Sequence, residues 1–524
     1  MVIMIRLAPA GPAMPTLPIL PALPTLPALP ILLSLLAMPA LAQADDWTVT
    51  PTLRLRQSYT DNVNLAPAEA ARGEPTSEIT PGVAITADDG PRLRMALAYS
   101  LQKVLYTRQA DRLNHQLNAS GHAELLQDWL YLDARSSISQ QNISAFGPQL
   151  TDTVQVSGNS NQVRAHSISP MLQHYFRGIA TAVLRYDYQR VASGSLLGVQ
   201  SDGASLRLTG DNGGRSWNWD LALDRKHIAD AALAPMTMTD AALTLSYSLN
   251  SAVSLFSSGG YENKDYQARS GEPAGKYWSS GATWSPSPRT RVSASFGRRY
   301  FGKTIALDAS YRMRSMLWTL NYSEDITTMH GEFLSIPPAG LSDFLYQLWE
   351  TRVPDPQKRL QTIKVFLLLS QMLGTDGNVN FFSHRYYLQK AMRLAAVYSG
   401  TRGALAFNFS TMRRLAQTSS IVDSMLLGPD ELSLEDRTRQ SAAQVGWNWR
   451  LSSRGAVTVG ASHNRVQSLS TNRQDRNSIL SATLSHQLRT NIGADVSLRH
   501  SRHTSNAGGN YRENGVSAAL TVAF

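Results

Sequence analysis

The chain has 524 residues, no cysteine, only 17% charged residues and a formal charge of +10 at pH 7. Without cysteine there are no disulfides and no thiolate metal sites. The 49 Lys and Arg are scattered, mostly singly and at alternate positions, with no run of five. That argues against nucleic acid and for a basic lumen or loop surface that faces an anionic partner.

Arg6 is the only charge before Asp45. A proline-punctuated stretch, LPILPALPTLPALP, leads into the apolar run from Ile31 to Met38 and then to Ala40-Leu41-Ala42, a small-x-small cleavage pattern. Residues 1–42 therefore read as a secretory signal cut near Ala42, and 43–524 as the exported domain. Beyond the signal no run of 18 apolar residues occurs, so no helix of the exported part has the length to span a bilayer.

Strict alternation dominates the exported domain. Leu93, Met95, Leu97, Tyr99 and Leu101 share one face and Arg92, Arg94, Ser100 and Gln102 the other; the next segment repeats this with Leu113, Leu117 and Ala119 against Asn114, Gln116 and Asn118. The same period recurs in Leu184, Tyr186, Tyr188, in Trp217, Trp219, Leu221, in Leu243, Leu245, Tyr247, in Val445, Trp447, Trp449 and in Leu480, Ala482, Leu484. Period two marks strands with one apolar face, and runs of about 10 residues or more suit a tilted bilayer crossing. Short links rich in Gly, Pro, Asn and Asp (88–91, 127–129, 211–214, 285–288, 400–403, 452–455, 489–491) alternate with long polar ones (60–76, 143–161, 192–203, 264–275, 414–436, 467–477, 504–513). Transmembrane barrels sort their connections this way, with short periplasmic turns and long extracellular loops. The expected fold is all-β: a closed antiparallel transmembrane β-barrel of about 22 strands (range 20 to 24), integral to the outer membrane of a Gram-negative bacterium.

Several segments bear on function. In SYTDNVNLAP (58–67), Asp61, Asn62 and Asn64 predict a turn bonded to its own backbone. From about 325 to 380 period two is lost; Leu341, Phe344, Leu345, Leu348 and Trp349, then Leu360, Ile363, Phe366 and Leu367, fall at helical spacing. Such an insert would plug a wide lumen, cap it, or dock another subunit. Inward candidates on the polar faces are Arg92, Arg94, Gln102, Arg207, Arg312 and Arg314, which would offer donors to a passing glycan or solute. No metal-ligand spacing, G-x-S-x-G or phosphate loop is present; His500 and His503 lie on opposite faces, and Asp61, Asp89, His115 and His122 read as solvated loop and lumen residues. The expected protein is not an enzyme and uses no cofactor. The chain ends on an alternating strand whose outward row is Val516, Ala518, Leu520, Val522 and Phe524; this strand would close the barrel against the first, since backbone groups in lipid must all be paired. A C-terminal aromatic on such a strand resembles the signal read by the outer-membrane assembly machinery, with Leu520, Val522 and Phe524 carrying it.

WTVTPTLRLRQSYTDNVNLAP (47–67), HQLNASGHAELLQDWLYLDARSSISQQNISAFGPQ (115–149) and NYSEDITT (321–328) resemble outer-membrane β-barrel proteins associated with PEP-CTERM/exosortase systems. The resemblance implies a channel or accessory for exopolysaccharide or surface-protein traffic, with exopolysaccharide, outer-membrane lipid and periplasmic export components as partners. It implies no catalytic residue. A general diffusion porin for small solutes and a structural docking subunit of a secretion complex are the other readings of the same pattern.

Overall fold

The computed structural model describes residues 47–524, apart from 91, 195, 212, 214–215, 232, 270, 329–330, 332–381, 420–422 and 424–432. The expected helical insert, with Leu341, Phe344, Leu348, Trp349, Leu360 and Phe366, lies outside the described residues. Its N-terminal boundary does move: the strand before it continues through Thr328, so 325–328 belong to the sheet.

The described chain is one sheet of 22 antiparallel strands. The first eleven are β1 (Trp47–Thr60), β2 (Glu74–Asp89), β3 (Leu93–Tyr106), β4 (Arg112–Leu126), β5 (Leu130–Asn142), β6 (Ser160–Phe176), β7 (Ala180–Ser193), β8 (Leu197–Gly210), β9 (Trp217–Asp230), β10 (Met236–Ser248) and β11 (Val253–Lys264). The remainder are β12 (Ala274–Ser287), β13 (Thr290–Arg299), β14 (Gly302–Arg312), β15 (Met316–Thr328), β16 (Tyr386–Ser399), β17 (Gly403–Ala416), β18 (Arg437–Arg450), β19 (Gly455–Ser468), β20 (Gln474–Arg489), β21 (Ile492–Ser505) and β22 (Tyr511–Ala523). Each pairs with its sequence neighbours, and β22 returns to β1 with Leu55 opposite Leu520 and Tyr59 opposite Val516. The sheet is closed, so the terminal strand is not an edge.

Alternation decides which side chains face out. Leu55, Leu243, Phe296, Leu480, Leu498 and Val516 stand exposed on the outer wall, together with Phe524 at the chain end. Trp217, Trp284, Tyr398, Trp447 and Trp449, also exposed, gather toward the rim of short turns. A continuous outer apolar surface of this extent is incompatible with water as the solvent; with an aromatic rim it is the outside of a membrane-spanning barrel. No described helix is long and apolar enough to cross a membrane.

One rim carries only tight connections, the longest being 211–216. The other carries 61–73, 143–159, 265–273, 417–436 and the link from β15 to β16, but also very short ones. The expected long link at 192–203 is in fact a hairpin, with only 194–196 between β7 and β8. Strands also run two to four residues further into 467–477 and 504–513 than alternation suggests. The reason is that their outward residues turn polar there, which erases the sequence signal while the ladder continues.

Candidate gate in the lumen

The connection between β5 and β6 folds into the barrel instead of standing away from it. Residues 143–159 form a strap with internal order. At its base Ile143 N–H donates to the Asn159 carbonyl (3.1 Å) and Ser144 N–H to Asn159 Oδ1 (2.7 Å), while Asn159 Nδ2 donates to the carbonyls of Ser144 and Pro148, each at 3.0 Å. Gly147 takes φ +89°, a conformation that a side chain would strain, and so reverses the chain after Phe146. Near the tip the buried Gln155 Oε1 accepts Thr151 N–H (2.7 Å) and Asp152 N–H (3.1 Å), which fixes the direction of Asp152.

The tip docks on the inner wall of the closing seam. Asp152 accepts from Arg56 of β1 (Nη1, 2.8 Å) and from Arg499 of β21. Each arginine has a second carboxylate: Glu78 of β2 lies 2.9 Å from Arg56, and Glu513 of β22 lies 2.7 Å from Arg499. Gln102 of β3 donates to Thr153 Oγ1 (2.7 Å) and to Glu78, Tyr106 OH donates to the Val154 carbonyl (2.8 Å), and Val156 N–H donates to the Val63 carbonyl (2.9 Å). Burial alone would raise the Asp152 carboxyl, but hydrogen bonds and charge from Arg56 and Arg499 outweigh it and hold the group well below the usual carboxylate range.

The other shoulder of the strap reaches the far side of the ring. In a ring of 22 strands, β16 stands opposite β5. There Ala145 and Phe146 pack with Tyr387, Ala416, Leu434 and Val466, and the Arg473 guanidinium lies 5.3 Å from the Phe146 ring centroid. Gly147 N–H donates to Asp475 (2.8 Å), and Phe382 N–H donates to the Ile143 carbonyl (2.9 Å). Ser144 Oγ faces Glu435 at 3.5 Å; burial raises that carboxyl well above the ordinary range, against the pull of Arg385.

Beside this contact the fully buried Arg385 ties three connections together. It donates to Asp423 and Asp436, and Asp436 in turn accepts from Arg269 at 3.1 Å. His384 pairs with Asp230 at 2.7 Å; desolvation would lower its pKa, but the Asp230 carboxylate prevails and raises it. Inward apolar residues of β6–β10, among them Val163, Val191, Val199 and Ile228, are covered by Tyr266, Phe382 and Tyr386. The long-loop half of the lumen thus has a packed core of its own.

Of the residues singled out from sequence, Gln102 is part of the strap's seat. Arg94 and Arg207 face inward and are exposed, Arg207 bonding Asp220 at 2.8 Å, and Arg312 lies on the inward face of β14 opposite Leu317. Arg92 and Arg314 are corrections: both sit in turns at the short rim, where the strands have already ended, and not on a strand face. Leu520 is exposed on the outer wall and Phe524 bonds back to Pro51 through its N–H (2.9 Å). The 58–67 turn forms as expected, with Asn62 Oδ1 accepting Ala66 N–H at 3.0 Å, while Asp61 bonds Asn514 of β22 at 2.7 Å. Asp61, Asp89, His115 and His122 are not brought together: His115 bonds Tyr99 on the outer face and His122 bonds Asp133 in the lumen. Sequence reasoning missed Arg56, Glu78, Asp152, Arg499 and Glu513. The available signal was four inward charged residues near one end of strands that become neighbours only when the barrel closes.

These features define a membrane-spanning β-barrel with an internal strap. No family model and no curated protein matches the chain. Among solved structures it is similar to the FrpB iron transporter of Neisseria meningitidis (10% identity, TM-score 0.47, covering 93% of this chain and 83% of that one). It is also similar to the siderophore receptor PirA of Pseudomonas aeruginosa (8%, 0.44, 91% and 80%) and to OpdO of the same organism (8%, 0.35, 91% and 97%). At such identities no cargo or role passes from them to this chain.

Proposed function

We propose that this chain is an outer-membrane channel for hydrophilic cargo that rests closed, with residues 143–159 as its gate. The single observation behind this reading is the strap's clamp: Asp152 held between two arginines of the seam at one end, and Phe146 packed at the other on the wall that faces the strap's own root at β5. A wide barrel needs no such device for its own stability, because its backbone is already satisfied by closure. A structure that crosses the lumen and is held mainly by polar contacts is one whose release opens a path. Below it, Arg94, Asn118, Arg207 and Arg393 line a solvent-exposed bore suited to hydroxylated or charged cargo. Exopolysaccharide is the finer reading of that cargo, in line with the resemblance of 47–67 and 115–149 to barrels of PEP-CTERM/exosortase systems. The long loops then face the cell exterior.

Planar-bilayer recording tests this. The intact protein is expected to be nearly silent, and a variant with 145–157 replaced by a short Gly-Ser linker to conduct in large steps that an anionic polysaccharide blocks. High resting conductance of the intact protein, unchanged in the linker variant, would mean an ungated diffusion channel instead. Open conductance of the linker variant with no block by any glycan would remove the exopolysaccharide reading and leave the gate.

A further inference from the structure

The strap accounts for inward charges, but many arginines point the other way. On the outer wall of β17–β22, at the long-loop end, three pairs of arginines stand directly across from each other. They are Arg413 and Arg439, Arg465 and Arg476, and Arg502 and Arg512. All six are exposed. None has an acidic partner among the described residues; Arg465 donates to Gln474 at 2.6 Å. Like charges directly opposite in a sheet repel and destabilise it, and three such pairs on consecutive hairpins call for a source of negative charge outside the protein. The adjoining pair at the same level shows the contrast: Lys390, which stands across from Arg413 on the next strand, has Glu324 opposite it on its other side, 3.1 Å away.

Position indicates what that source is. On the same strands, four residues along the same face, come Leu480, Leu498 and Val516, exposed on the apolar belt. Four residues of strand span about 13 Å, or roughly 10 Å of height at the usual barrel tilt. The arginine rows therefore stand at the level of lipid headgroups, where an outward arginine costs little, with Ser478, His500 and Asn514 between. We propose that these rows form a docking surface for a membrane glycolipid whose headgroup carries two phosphates. Two guanidinium groups facing each other across a strand pair, about 5 Å apart at the backbone, match two phosphate charges better than one. This surface is independent of what the lumen passes.

The test uses the full-length protein in neutral detergent, with a bis-phosphorylated lipid A as probe and its monophosphorylated form, phosphatidylglycerol and soluble pyrophosphate as comparisons. Bound lipid is counted by native mass spectrometry. The expected result is tight binding of the bis-phosphorylated lipid, weaker binding of both monophosphate lipids, and a loss of roughly 100-fold in the triple variant Arg413→Gln, Arg465→Gln, Arg502→Gln. That variant relieves repulsion, so its unfolding temperature without lipid should equal or exceed that of the parent. A second variant with Lys at the three positions keeps the charge and should retain most of the binding. The proposal is overturned if the Gln variant, folded, binds as the parent does, if the monophosphate lipids bind equally well, or if pyrophosphate displaces the lipid at equal concentration. Should the Gln variant not fold, loss of binding in the Lys variant overturns it as well.

Discussion

In the half of the lumen next to the short turns, inward residues such as Arg94, Asn118 and Arg393 stand in solvent. Toward the long loops, on the inward faces of β2, β3, β18 and β22, Glu78, Gln102, Gln440 and Glu513 are buried to within a few per cent of their surface. The wall is built alike at both ends, from the same alternating strands. What differs is the filling: among the described residues, chain from 143–159, 265–269, 382–385, 417–419, 423 and 433–436 enters one end and none of it reaches the other. A barrel position is therefore neither core nor pore by virtue of its strand. The loop that reaches it decides, and the charge that is tolerable in the open half becomes part of a costly buried network in the closed one.

The contrast can be broken outright by replacing 145–157 with a linker, which should turn the closed half into open bore and produce the largest change in single-channel conductance. Next in size, Asp152→Ala should release the tip from the seam. Removing one member of a buried ion pair costs about 3–5 kcal/mol, and the lower end is expected because Arg56 and Arg499 each keep a glutamate; the readout is open probability at fixed voltage. Phe146→Ala, which empties the opposite contact, should cost about 3 kcal/mol by the scale of buried aromatic truncations, read as faster proteolysis within the strap. The pH response sharpens the comparison. Asp152 is depressed, so its contribution is present above the ordinary carboxylate range and is lost only as pH falls through its low folded value. His384 and Glu435 are raised, so theirs are complete at low pH and are lost as pH rises through their folded values. Conductance should accordingly rise on the alkaline side well before it rises in acid, and Glu435→Gln should blunt the alkaline arm. The smallest effect belongs to the open half: Arg94→Glu should shift the reversal potential in a salt gradient toward cation preference and leave closure untouched.

The wall was legible in the sequence because its code is local. Alternation in segments such as 93–105 and 443–449 requires only neighbours in the chain, and the apolar row from Val516 to Val522 announces closure, since an unpaired edge cannot exist in lipid. The filling was not legible. Asp152 meets Arg56 and Arg499, which lie 96 and 347 residues away, and residues 143–159 have no period to mark them. The helical spacing at 341–373 drew attention to a different plug, while the strap looked like an ordinary polar loop. The arginine rows were hidden for a third reason: Arg476 and Arg512 belong to strands that already run on the lipid side before the apolar code begins, so they fell within the links at 467–477 and 504–513.

Asp152 reaches β1 on one side of the seam and, through Arg499 and Glu513, β21 and β22 on the other. The first and last strands are thus welded twice, by the backbone ladder between Thr52–Thr60 and Gly515–Ala523 and by a rivet inserted from within. Any event that parts the two ends therefore also unseats the strap.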